Sequence, residues 1–170
     1  MLKTSHLAVA GATALLVASA REVFDSVPLG ASISYSDGTP EPPARFKNKH
    51  RAWLNRNSFG TLISKSDRYS EDQFTLHEGA FGTERTIVMV VNKTYGVSSD
   101  LKFTVTSVPQ PGQVLIVTRS DYTGEQLRHI ANNRAAAEAW LAGHGYSDAV
   151  FWEIQADGTH VETSPTPLAA

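Results

Sequence analysis

The stretch PPARFKNKHRAWLNRN, Pro42 to Asn57, gathers Arg45, Lys47, Lys49, Arg51 and Arg56 around His50 and contains no acid. Cations at helical spacing suit one task above others: neutralising a row of phosphates. Extending the window to Ser66 raises the count to six Lys or Arg, still without Asp or Glu. The whole chain carries a net charge of −2 at pH 7, so the remainder is acidic and any attraction for a polyanion must be local. Exposed helices ordinarily mix signs along their surface. This one segregates them.

On a helical wheel, His50, Trp53, Leu54 and Asn57 fall within about 80° of Phe46. They form the stripe expected to seat the helix on a sheet. Arg45, Lys47, Lys49, Arg51 and Arg56 flank it, with Asn48 and Asn55 behind. The leading expectation is therefore a non-enzymatic accessory protein that contacts nucleic acid through a basic helix over 43–57. Contacts of this kind are largely blind to base sequence. Four to six phosphate contacts predict a slope of log K against log salt of roughly −4 to −5 on duplex DNA. The alternative partner is another protein, with the chain a structural subunit, an interaction subunit or an inhibitor. A plainer alternative is a solvated helix neutralised by the nearby acidic loop with Asp67, Glu71 and Asp72.

Catalytic readings are thinner. Ribonuclease-type chemistry needs two proton carriers astride a phosphate, and His50 with His77 is the pair that offers it without a metal. That metal-free nuclease is the third functional expectation. His77-Glu78 is the only adjacent His and acid. The six histidines stand at 6, 50, 77, 129, 144 and 160, and none forms a metal-binding spacing. With no cysteine there is no thiolate nucleophile, disulfide or Cys-type zinc site. Gly79, Gly82 and Gly96 form no phosphate cradle. No catalytic residue, metal or cofactor is expected.

The elements that must position the basic helix follow from punctuation and period. Val9, Leu16, Ala20, Val23, Phe24 and Val27 share an arc of roughly 100°, which predicts an amphipathic helix capped by Thr4 or Ser5 and stopped at Pro28. The competing reading is a secretory signal cleaved after Ala18-Ser19-Ala20. The first places the protein in the cytoplasm, the second outside it. Neither supplies a membrane span. Strands are expected at 31–35, within FGTLISKS, FTLHEG and TIVMVVNKTYG, and at LKFTVTSV, where Leu101, Phe103 and Val105 alternate inward.

The proline- and glycine-rich segment 109–112 is the best internal boundary. It separates a 1–108 α+β region from a 113–163 β-α-β-β unit, which can also share one sheet with it. In that unit QVLIVTRS is a central strand. TGEQLRHIANNRAAAEAWLAGHG is a helix with a break near Asn132-Asn133, anchored by Ala137, Trp140 and Leu141. AVFWEIQ and THVE form a hairpin closed by Asp157-Gly158. One of Phe151 and Trp152 should face outward if that strand is half exposed. Residues 164–170 read as a disordered tail. The class expected from these elements is α+β with a mostly antiparallel sheet.

Overall fold

A computed structural model describes residues 16–83, 86–120 and 124–166. Ten strands form one antiparallel sheet: β1 (Leu16–Ala18), β2 (Ser32–Ser36), β3 (Ser58–Ser66), β4 (Gln73–Thr83), β5 (Thr86–Gly96), β6 (Lys102–Ser107), β7 (Val114–Ser120), β8 (Gly124–Ala131), β9 (Ala149–Ile154) and β10 (His160–Thr163). Among the described residues three short helices accompany these strands: α1 (Ala20–Ser26), α2 (Lys47–Leu54) and α3 (Arg134–Ala142). The strand order is β1-β6-β2-β3-β8-β7-β9-β10, with β4 and β5 branching from β3.

β3 is the junction. Its first half pairs with β2, from Ser58↔Tyr35 to Thr61↔Ser32. Farther along the same edge Ser64 meets Gln126 of β8. Its other edge carries β4, and a bulge between Leu62 and Ser64 turns the strand between these duties. The sheet therefore runs on across the 109–112 segment. Pro109 is buried there: a Cβ on Gly30, which sits at φ 84°, would lie 2.9 Å from the Pro109 ring. Glycine is required at that turn by both conformation and space.

Two apolar layers flank the sheet. The larger covers the inner face: Val23 and Val27 of α1 and its exit meet Ile33, Leu62, Phe74, Leu76, Phe103, Leu115, Val117 and Trp152. Each such side chain taken fully from water is worth roughly 1.5–3 kcal/mol. The smaller lies on the opposite face under α3, where Ala137 meets Val114, Ile116, Ala131, Ala149 and Phe151.

Several expectations need correction. With 45% strand against 17% helix, the molecule is a mostly antiparallel open sheet, with too little helix for an α+β class. The amphipathic N-terminal helix does not run through: Leu16–Ala18 pair with β6. α1 begins afresh because Ser19 and Glu22 form a reciprocal capping box. It does end before Pro28. Thr4, Ser5 and Val9 lie outside the described residues. The long helix expected from 123 begins only at Arg134. Residues 124–131 are a strand instead, because β7 carries an unbroken apolar run and needs a ladder on each edge, from β8 and β9. Asn133 then accepts a hydrogen bond from the Ala136 amide and starts α3. The C-terminal unit is thus β-β-α-β-β. Phe151 and Trp152 are both buried, since β9 is covered on both faces. At the C-terminal end Ser164 and Thr166 are tied to α3 through Arg134 and Glu138, and 167–170 lie outside the described residues. No described helix is long and apolar enough to cross a membrane.

Candidate nucleic-acid interface

α2 sits in the connection between β2 and β3, and its sequence gives it a weak start. Phe46 occupies the N-cap without a side-chain bond, and the first turn holds no acid. Lys47 and Lys49 instead stand at the positive end of the helix dipole, where cations are disfavoured. The far end is firmly held. Asn57 is 7% exposed. Its carbonyl accepts from the Ser36 hydroxyl at 2.6 Å and the Asp37 amide at 3.2 Å, and its amide donates to Asp37 and to the Trp53 carbonyl. Trp53 donates its indole N–H to the Thr39 carbonyl at 2.9 Å. The Asp37 carboxyl is held well below its usual range, first by the Thr39 hydroxyl and amide and then by Asn57.

The expected seating on the sheet is not found. No residue of α2 is buried; Phe46 is 45% exposed and Leu54 44%. The inner face is already occupied by α1. On the outer face of β2 and β3, Phe59 stands among Ser32, Ser34 and Thr61 and is itself 69% exposed. The helix stands off, anchored at its base.

The five basic side chains divide. Arg56 bonds Asp37 at 3.1 Å and Asp100 at 3.2 Å. Arg45 and Lys49 lie over the Phe46 ring, 5.0 and 5.6 Å from its centre. Among the described residues Arg45, Lys47, Lys49 and Arg51 make no ion pair, whereas Arg21, Arg119 and Arg134 each contact two carboxylates. The loop expected to neutralise α2 is engaged elsewhere: Asp72 holds Arg21 and Glu71 accepts from Ser98.

The histidines are apart in their bonding. His50 pairs with Glu41 at 2.8 Å, and His77 with Asn92 at 2.9 Å on the outer face of β4. Neither contacts the other among the described residues. Strand alternation sends Glu78 to the opposite face from His77. There it bonds the Tyr35 hydroxyl and, at 3.1 Å, Lys93. Lys93 also donates to Tyr35 at 2.8 Å and to the Asn55 carbonyl at 3.3 Å, so this cluster buttresses the exit of α2. Burial, reinforced by Glu78, pushes the Tyr35 hydroxyl up to about 12.

Sequence reasoning missed Phe59 of β3, which is 69% exposed. The signal was present: Ser34 is its cross-strand partner, and the alternation that buries Gly60 and Leu62 turns Phe59 out. Residues 18–158 match the family model described as Uncharacterised conserved protein UCP036055. Neither a curated protein nor a solved structure matches the chain.

Proposed function

The chain belongs to the uncharacterised conserved family UCP036055, and from that premise we propose that it is a non-enzymatic accessory protein that contacts nucleic acid through α2 and the residues leading into it. The carrying observation is that, among the described residues, Arg45, Lys47, Lys49 and Arg51 have no carboxylate partner in a chain whose net charge is −2. Phosphates would take the place of those missing partners, and the dipole of α2 adds to the attraction at Lys47 and Lys49. Arg56, already matched by two aspartates, contributes less. The exposed Phe46 ring gives a base a surface to stack on. A nucleic-acid partner implies a cytoplasmic site of action.

Salt-titrated binding to a labelled oligonucleotide tests this. Four phosphate contacts give a log–log slope of roughly −3 to −4. Lys49→Glu with Arg51→Glu should abolish binding at moderate salt and leave the fold intact. Affinity indifferent to salt, or to the double reversal, removes the reading. A protein partner is the second reading, favoured by the exposed apolar side chains Phe46, Leu54 and Phe59. It predicts binding that resists salt and fails on Phe59→Ser.

A further inference from the structure

A second surface lies on the outer face of the sheet, away from α2. The register aligns Gln126 of β8, Ser64 of β3, Thr75 of β4 and Thr94 of β5 into one cross-strand row. Ser66 and Gln73 form the next pair. With Tyr69 from the β3–β4 loop they line a concavity of about 210 Å³. At ~30 Å³ per water that is the space of about seven waters, the scale of one sugar ring.

The chemistry of this lining is unusual for an exposed sheet face. Charged residues make up 19% of the chain, yet none lines the concavity, and no aliphatic side chain does either. Every group is a hydroxyl, an amide or a phenol. Thr75 and Thr94 bond each other at 2.9 Å, and Ser66 accepts from the Arg68 amide. The side chains of Ser64, Gln73, Gln126 and Tyr69 make no hydrogen bond among the described residues. Tyr69 is 62% exposed, and its ring offers an apolar face beside this array of donors and acceptors.

We propose that this concavity binds a neutral, hydroxyl-rich ligand, a sugar ring of an uncharged glycan. No charged side chain lines the hollow to favour an ion. A wholly apolar ligand would displace water from the floor's hydroxyls and amides without replacing those bonds. A pyranose meets both demands. Each ring hydroxyl donates and accepts, as do the serines, threonines and amides beneath, and its C–H face lies against Tyr69.

The full chain would be screened on an array of neutral and acidic glycans. The best neutral binder would then be titrated by saturation-transfer NMR. Binding of a neutral glycan is expected, weakened about fivefold or more by Tyr69→Ala and similarly by Gln126→Leu. It should persist in the Lys49→Glu, Arg51→Glu variant, which separates it from the α2 surface. Both substituted residues are outside the core, so the fold survives their replacement. Three results overturn the proposal: no neutral glycan bound, binding confined to sulfated or sialylated glycans, or binding indifferent to both substitutions.

Discussion

α2 and α3 are nearly the same length and equally amphipathic, yet α2 buries no residue and α3 is part of the core. The difference lies in what each helix was offered. α3 follows β8 directly, is capped by Asn133, and lies over Val114, Ile116 and Phe151, an apolar surface that no other described element covers. Its small Ala137 lets it approach closely. α2 carries larger apolar residues, but they do not seat on the sheet: on its outer face Phe59 is left exposed among hydroxyls, and its inner face is filled by α1. An amphipathic stripe specifies a wish to be buried. Only a vacant apolar face grants it.

The charges follow the same division. Arg134 of α3 is held by Glu138 at 3.1 Å and Glu153 at 2.5 Å; the Glu153 carboxyl is lowered first by Arg134, and that of Glu138 first by the Thr166 hydroxyl and then by Arg134. The cations leading into and along the first turns of α2 have no such partners among the described residues. α3 spends its charges on the fold, whereas α2 keeps its own available.

The sharpest way to break this comparison is at Ala137, which is fully buried. Ala137→Asp should cost about 3 kcal/mol or more, by leaving a charge without a partner in a packed layer. A melt that barely moves would mean that α3 is as loosely held as α2. Next is the anchor of α2. Asn57→Ala removes four hydrogen bonds from a buried site and should cost about 1–3 kcal/mol. Amide exchange should speed up in 47–56 while 134–142 stays protected. Equal acceleration in both helices would contradict the separate anchoring described above.

A third test takes a buried cation. Lys65, under α1, donates to the Phe24 carbonyl at 2.6 Å, and burial pulls its pKa down from 10.5 to about 8. The folded chain releases this proton earlier than the unfolded chain. Between about pH 8 and 10.5 the unfolded state binds more protons, so this group makes stability rise with pH. The melting temperature of wild type relative to Lys65→Met should therefore climb across that window. A flat Lys65 difference would place its amine in water. The smallest effect belongs to Phe46→Ala with Leu54→Ala, which should change stability by no more than about 0.5 kcal/mol, because neither side chain is buried. A loss of several times that would mean that α2 is seated after all.

Much of the strand content was readable. Leu101, Phe103 and Val105 alternate inward as their period required, and the apolar run of QVLIVTRS does lie between two strands. Residues 124–131 were misread because Leu127, Ile130 and Ala131 also fit a helical period. A segment of that length is decided by its neighbour, here β7. The basic cluster was legible as composition. Which of its cations remain unpaired was not, because Asp100 lies far from Arg56 in sequence. The outer-face concavity had no signal at all. Its floor is assembled from four strands, each contributing one or two ordinary polar residues.

The sequence by itself determined where strands alternate and that positive charge is concentrated in 42–66. Those are local matters, governed by backbone preference, side-chain period and composition. Only the tertiary structure decided which amphipathic helix found an apolar face, which arginines met distant carboxylates, and which hydroxyls converge on one hollow. Each of those depends on residues brought together from far apart along the chain, and burial is a property of the neighbours rather than of the residue.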